Sequence, residues 1–76
     1  MTITTKQREL LEIISSYISR HGFSPTLYEL RDALQLASPA GVQARLAALK
    51  EQGLVQSTFY KSRTIRLTAA GQEALK

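Results

Sequence analysis

The sequence predicts a mainly helical domain with a core of three helices, completed by a small β-hairpin of two strands. Three observations predict it. Apolar residues recur at the three- and four-residue spacing of one helical face between positions 10 and 49, a Ser or Thr helix cap precedes each of those segments, and two β-prone segments follow Gly53. A chain of 76 residues is long enough for one such domain and too short for two, so residues 1–76 are expected to form a single domain.

The first helix is predicted from Thr5 to His21. Thr4 and Gln7 have the spacing of a capping box, in which the hydroxyl and the amide satisfy free backbone groups at the helix start. Gly22 can adopt the left-handed conformation that ends a helix. The apolar stripe of this segment consists of Leu10, Leu11, Ile13, Ile14, Tyr17 and Ile18.

Two further helices follow, joined by a very short turn. Thr26 and Glu29 form a second capping box in front of a short helix that carries Leu27, Leu30, Ala33 and Leu34. Ser38 is expected to cap the third helix, because Pro39 after it fits the first helical position, where a missing N–H costs nothing. This helix is predicted over residues 38–52, and its apolar stripe is Val42, Leu46 and Leu49.

The hairpin is predicted from two β-prone segments, Leu54–Ser57 and Thr64–Leu67. The polar, aromatic and basic stretch 58–63 between them suits a loop. Thr68 then has the character of a cap for a short final helix over residues 69–75, although Gly71 disfavours helix.

Composition excludes several classes of protein. The fractions of hydrophobic and charged residues, 43% and 21%, are those of an ordinary globular domain. With no cysteine and a single histidine, the chain can form neither a disulfide nor a thiolate zinc site, so no metal or cofactor is expected. One histidine and scattered carboxylates supply no nucleophile with its base, so the sequence predicts neither an enzyme nor a small-molecule substrate. No signal peptide or membrane span is evident, and a cytoplasmic location is expected.

Positive charge concentrates near the C-terminal end. The formal net charge is +4, and Lys61, Arg63, Arg66 and Lys76 follow Gly53 together with a single acidic residue, Glu73. Three of the four net charges therefore lie there, which suits a polyanionic partner.

The order helix, helix, tight turn, helix, hairpin is that of a winged helix-turn-helix. In that architecture the third helix, 38–52, enters the major groove of double-stranded DNA, and the wing, 58–66, contacts the backbone. We therefore expect a sequence-specific transcriptional regulator. Candidate DNA contacts are Thr26 and Tyr28 at the second helix, Ser38, Ala40, Gly41, Gln43 and Arg45 at the third, and Lys61, Arg63 and Arg66 in the wing.

The chain also resembles a known family, the N-terminal DNA-binding domain of LexA-type SOS repressors, over about Ile3 to Thr68. The resemblance lies in Gly22-Phe23-Ser24-Pro25-Thr26 between the first two helices, Ser38-Pro39 at the start of the third and Arg63-Thr64-Ile65-Arg66-Leu67 in the wing. Further matching segments are Thr5-Lys6-Gln7-Arg8-Glu9, Glu29-Leu30, Leu46-Ala47-Ala48-Leu49 and Gly53-Leu54-Val55. The resemblance implies a repressor that binds duplex DNA through its third helix.

The sequence departs from that family at the positions that read bases. The family often has Asn and Glu there, whereas this chain has Ala40, Gly41, Gln43 and Ala44. Base readout is therefore expected to fall mainly to Ser38, Gln43 and Arg45, and the family's operator does not carry over.

A second departure concerns the self-cleaving peptidase of the family, a serine-lysine enzyme that also supplies dimerisation. It would lie beyond residue 76, so no self-cleavage is expected of this chain. Ala70-Gly71 has the composition of the family's cleavage site. The segment Leu67-Thr68 with Gly71 and Leu75 instead favours a strand-to-helix ending, as in other winged-helix regulators.

Two questions stay open at the level of sequence. Phe59 and Tyr60 either fold back onto the core, pack across a dimer interface or press against DNA, since adjacent exposed aromatics need a reason. The alternative function is a winged-helix protein–protein interaction module, because the fold also serves for docking.

A DNA-binding domain of this size makes few contacts, so a homodimer or neighbouring sites would be needed for tight binding.

Overall fold

The computed structural model describes residues 3–58, 61 and 63–76. Within them the chain forms, in order, α1 (Thr5–His21), α2 (Leu27–Leu34), α3 (Pro39–Glu51), β1 (Val55–Gln56), β2 (Arg66–Leu67) and α4 (Ala69–Ala74). The predicted class, three helices and a two-stranded wing, is confirmed.

The starts of α1 and α2 follow from the two capping boxes. The Thr4 hydroxyl accepts from the Gln7 amide, and the Gln7 side chain accepts in return from the Thr4 amide. Thr26 and Glu29 repeat this exchange at α2, at 3.2 and 2.8 Å. Gly22 ends α1 with a left-handed φ of 79°, as predicted.

The start of α3 lies at the predicted cap residue. Ser38 is the N-cap residue of α3, as predicted, and has the extended backbone of a cap, but its hydroxyl makes no capping hydrogen bond. Pro39 occupies the first turn and has no N–H, which removes one of the free donors that a cap would satisfy.

The core lies where the three helices meet the base of the wing. Its buried side chains come from α1, α2, α3 and the hairpin, and are Leu10, Leu11, Ile14, Leu30, Val42, Leu46, Leu49, Leu54, Val55 and Ile65. The apolar stripes identified in the sequence supply the helical part of this set. A core shared by all these elements fixes the position of α3 relative to the wing.

The sheet is shorter than predicted. Among the described residues the antiparallel strands pair only Val55 with Leu67 and Gln56 with Arg66, whereas four-residue strands were expected. Beyond this ladder the Thr58 amide donates to the Thr64 hydroxyl at 2.9 Å, and the Ile65 amide donates to the Ser24 hydroxyl at 3.0 Å. Side chains therefore accept hydrogen bonds from the amides of the described residues next to the ladder.

The C-terminal segment forms α4, as the strand-to-helix interpretation predicts. Thr68 caps it through the Gly71 amide. Gly71 is buried, and a Cβ at this position would collide with the carbonyl oxygen of Leu54. Arg8 of α1 donates to the carbonyl oxygens of Ala74 and Leu75, at 2.8 and 3.3 Å, which ties the end of α4 to α1.

In residues 3–58, 61 and 63–76, no helix is both long and apolar enough to cross a membrane.

Candidate nucleic-acid interface

An open groove of about 790 Å³ lies between the start of α2, the exposed side of α3 and the wing. Its charged lining residues are Lys50, Lys61 and Arg63, and no described Asp or Glu lines it. The groove therefore presents positive charge and no negative charge to a ligand, which favours a polyanion.

The floor of the groove is one face of α3. Its residues recur at three- and four-residue spacing, which places them on one side of the helix, opposite the buried stripe of Val42, Leu46 and Leu49. These floor residues are Ala40, Gln43, Ala44, Ala47 and Lys50, and the largely buried Leu46 of the stripe also reaches the lining. Four of them are exposed and uncharged, and of these only Gln43 has a hydrogen-bonding side chain.

One rim of the groove is the first turn of α2. Thr26 caps the helix, so its hydroxyl accepts from the Glu29 amide at 3.2 Å. Tyr28 is 62% exposed. The guanidinium of Arg31 lies over its ring, 5.3 Å from the centroid. This rim thus carries an exposed phenol beside a cation.

The opposite rim is the wing. Thr64 closes its base, because its hydroxyl accepts from the Thr58 amide and its single proton faces the carbonyl oxygens of Thr58 and Lys61, at 3.2 and 3.1 Å. The Lys61 amide also donates to the Thr58 carbonyl, at 3.1 Å. Lys61 is exposed on this rim.

Arg63 leaves the wing and reaches the helical core. Its guanidinium donates to the Ser24 carbonyl and to Glu29 Oε1, both at 3.0 Å, and lies 4.8 Å from the centroid of the Phe23 ring. The Tyr17 hydroxyl is 3.4 Å from Nη1. The residue has a left-handed φ of 57°, a conformation that costs energy outside glycine and is held here by these contacts.

Beneath Arg63 a second hydrogen bond joins the wing to the loop before α2. The buried hydroxyl of Ser24 accepts from the Ile65 amide at 3.0 Å and donates to the Pro25 carbonyl at 2.9 Å. The wing is therefore fixed to the helical part of the domain at two residues, the half-exposed Arg63 and the buried Ile65.

Glu29 is the anion at this junction. Its carboxylate accepts from the Thr26 amide, from the Tyr17 hydroxyl at 2.7 Å and from Arg63. The Thr26 amide contributes most, followed by Tyr17, and with Arg63 they lower the pKa of Glu29 from 4.5 to about 2. Glu29 is therefore ionised throughout the neutral range and caps α2 while pairing with the wing.

Comparison with known proteins identifies the family. The LexA DNA binding domain family matches residues 1–64. The chain belongs to the LexA DNA-binding domain family.

Several LexA repressors are similar to the chain over almost all of its length. It is 38% identical over 71 residues to the LexA repressor of Methylococcus capsulatus, which covers 93% of this chain and 35% of that protein. It is 40% identical over 73 residues to that of Anaeromyxobacter dehalogenans, covering 96% and 32%. For the LexA repressor of Gluconobacter oxydans the identity is 36% over 75 residues, covering 95% and 32%. The chain thus spans about a third of the length of these repressors.

The structure divides the site residues expected from the sequence of this LexA-type domain into two groups. Thr26, Tyr28, Ala40, Gln43, Lys61 and Arg63 line the groove. Ser38, Gly41 and Arg45 lie outside its lining, and a Cβ at Gly41 would come within 3.3 Å of the Leu36 side chain. Gly41 and Arg45 are four residues apart and share a half-buried flank of α3 that is not the flank carrying Gln43.

Arg66 lies outside the lining of the groove. It lines a second, smaller depression together with Lys50, Gln56 and Arg63. The two depressions share Lys50 and the wing base, so Arg66 extends the positive surface around the wing.

Sequence reasoning did not name several of the groove residues, among them two on α3 and two beside the wing. Ala47 and Lys50 were not assigned to the interface, although they are the positions that continue the spacing from Gln43 on the side opposite the buried stripe. Ser57 and Thr58, placed in a strand and a loop, also line the groove. Phe59 and Tyr60 lie outside the described residues.

Proposed function

We propose that this LexA-type domain binds double-stranded DNA sequence-specifically and serves as the DNA-reading part of a transcriptional repressor. The exposed face of α3 enters the major groove, and the wing contacts the flanking backbone. The observation that carries the proposal is the groove itself, whose floor is a helix face and whose charged residues are all cationic. Membership of the LexA DNA-binding domain family supports the same assignment.

Small side chains on the floor suit insertion between the walls of the major groove. Alanines at positions 40, 44 and 47 let the backbone of α3 approach the base edges, and a methyl group can contact the methyl group of thymine. Gln43 is the side chain on this face that can make paired hydrogen bonds, and its amide matches the donor and acceptor of adenine. We therefore assign base discrimination mainly to Gln43, with Ser38 and Arg45 reaching bases or phosphates from the neighbouring flank.

Phosphate contacts fall to the two rims and the end of α3. Lys61 lies on the wing rim, Lys50 lies at the end of the α3 floor, Arg66 lines the adjoining depression, and Thr26 and Tyr28 lie at the start of α2. Arg63 lines the groove and its side chain is 42% exposed, but its guanidinium donates to Glu29 and the Ser24 carbonyl, which reduces the charge it can offer to a phosphate. Phosphate contacts position the protein without reading sequence.

The proposal predicts different effects for two groove variants. Gln43→Ala should change the order of preference among selected duplexes, by roughly tenfold at the base it reads, whereas Lys61→Ala should weaken binding to every duplex alike. Loss of Lys61 should also reduce the slope of log K against log salt by about 0.9. The measurement is fluorescence anisotropy on selected and mixed-sequence duplexes at several salt concentrations.

Matched controls come from exposed residues away from the groove. Gln72→Ala on α4 and Lys6→Ala on α1 remove the same side-chain types there, and neither should change the preference or the slope beyond error. Amide NMR titration of the wild type with a mixed-sequence duplex locates the interface. Shifts confined to the groove residues and weakened by salt support the proposal, while no shifts at low salt contradict it and favour a protein-docking role.

A further inference from the structure

The junction between Arg63 and Glu29 has a geometry that a freely solvated basic wing would not need. Arg63 meets four groups of the helical core, namely the Tyr17 hydroxyl, the Phe23 ring, the Ser24 carbonyl and the Glu29 carboxylate. These groups come from α1, from the loop that follows it and from α2. A cation that served only to attract phosphate would gain nothing from such a set, and pairing with a carboxylate reduces the charge available to DNA.

Glu29 joins this junction to the start of α2. One of its oxygens accepts from the Thr26 amide, as the capping box requires, and lies 3.0 Å from the Arg63 guanidinium as well. Its other oxygen accepts from Tyr17 and lies 3.4 Å from Arg63 Nη2. The rim at Thr26 and the wing rim are therefore held by one carboxylate.

The geometry points to a latch, defined by Arg63, Glu29 and Tyr17, that fixes the wing against the start of α2 and so sets the width of the DNA-binding groove before DNA arrives. Arg63 is in this assignment a positioning residue, which acts on DNA through the placement of Lys61 and its neighbours. The effect of the latch on DNA binding rests on the proposed function, whereas the latch itself is a property of the free protein.

The latch has a physical reason in the shortness of the sheet. Among the described residues the strands pair Val55 with Leu67 and Gln56 with Arg66, and beyond Gln56 the described part of the wing relies largely on side-chain contacts besides the Lys61–Thr58 backbone bond. The hydrogen bond from the Ile65 amide to Ser24 already holds the base of the wing, and Arg63 adds a tie two residues before it. Without this additional tie, Lys61 would have to be fixed in place at the moment of binding, and that ordering lowers affinity. The Thr64 network closes the base of the wing, but it does not connect the wing to α2.

The decisive variant is Glu29→Gln, since electrostatics and the latch predict opposite signs. The amide keeps an oxygen for the Thr26 amide, so α2 remains capped, but it cannot pair with Arg63 as an anion. Removing a negative charge beside the groove should tighten DNA binding if Arg63 contacts phosphate directly. The latch predicts that Glu29→Gln weakens binding to a mixed-sequence duplex by roughly threefold to tenfold despite the gain in net charge.

The second variant, Arg63→Gln, completes a double-mutant cycle. We expect a similar loss of affinity, a double variant no worse than either single one, and an unchanged slope of log K against log salt. Lys61→Gln is the matched control, because it removes one charge from the same wing and should lower that slope by about 0.9. Arg63→Lys keeps the charge but loses the planar fork, and should behave like Arg63→Gln.

Free-protein NMR separates the latch from the proposed function. In the wild type the Lys61 and Thr64 amides should show heteronuclear NOE values close to those of α3, and Glu29→Gln should lower them while the α1 and α3 values stay unchanged. If the wild type fails to bind duplex DNA, this measurement alone decides the latch. Two results would overturn the latch. One is that the wing amides stay rigid in Glu29→Gln. The other is that Glu29→Gln binds DNA as tightly as the wild type or more tightly, while Arg63→Gln lowers the salt slope.

Discussion

Glu29 performs two tasks with one carboxylate, and its ionisation supports both. It caps α2 through the Thr26 amide and pairs with Arg63 of the wing. Since its pKa is lowered from 4.5 to about 2, its charged form is stabilised by folding. Protonation would remove the anion of the wing contact and weaken the acceptor that caps α2.

This pKa gives a definite dependence of stability on pH. A carboxylate whose pKa is lower in the folded state stabilises the fold above the unfolded pKa of 4.5, and the stabilisation is lost as the pH falls from there through about 2. The difference in unfolding free energy between the wild type and Glu29→Gln should therefore shrink over this interval and be constant above it. Urea unfolding across the acidic range measures the difference, and the ¹³C shift of the Glu29 carboxyl reports its titration directly. A Glu29 midpoint close to 4.5 would contradict the assignment.

Glu29 also shows which contacts of a single residue can be predicted from the sequence and which cannot. Its capping role follows from the three-residue spacing to Thr26, because such patterns report contacts along one turn of helix. Its partner Arg63 is 34 positions away, and that pairing depends on how the wing packs against α2. The segments containing Phe23, Ser24 and Arg63 match the family motifs noted in the sequence, and the structure supplies the physical reason that they occur together.

At the scale of elements, sequence predicted the helices well because their boundaries depend on local signals. The caps at Thr4 and Thr26, the stop at Gly22 and the apolar stripes place α1 and α2 at the expected residues. The face of α3 that lines the groove was only partly predicted. Helical spacing shows which side of α3 lies away from the buried Val42, Leu46 and Leu49. It does not show which exposed flank faces the wing, because that depends on tertiary packing.

Helix α4 provides a prediction in which helix propensity gives the wrong sign. Alanine is a better helix former than glycine by about 1 kcal/mol, yet a Cβ at position 71 would collide with the carbonyl of Leu54. Gly71→Ala should therefore lower the free energy of unfolding by about 1–3 kcal/mol, the usual cost of overpacking. Urea unfolding measures this, with the exposed Gln72→Ala as a control expected within about 0.5 kcal/mol of the wild type. A Gly71→Ala protein that is more stable would show that α4 can move away from β1 freely.

At the scale of the whole molecule, the groove and the tie between α1 and α4 are formed by different elements. The groove is lined by α2, α3 and the wing, whereas the tie from Arg8 to the Ala74 and Leu75 carbonyls joins α1 to α4. The domain measures 28 × 24 × 21 Å, and the Debye length at physiological salt is about 8 Å. Charges on the α1 and α4 side are therefore screened from DNA held in the groove.

Two variants that each remove one cation should consequently separate stability from binding. Arg8→Ala leaves two carbonyl oxygens without their donor and should lower the free energy of unfolding by about 1 kcal/mol, with DNA affinity unchanged when the protein is folded. Lys50→Ala removes an exposed groove cation, so it should leave stability within about 0.5 kcal/mol and reduce the salt slope of binding by about 0.9. Thermal unfolding and anisotropy titrations on the same two proteins give all four values. Equal losses of affinity for the two variants would show that the net charge of the domain, rather than the groove, governs its attraction to DNA.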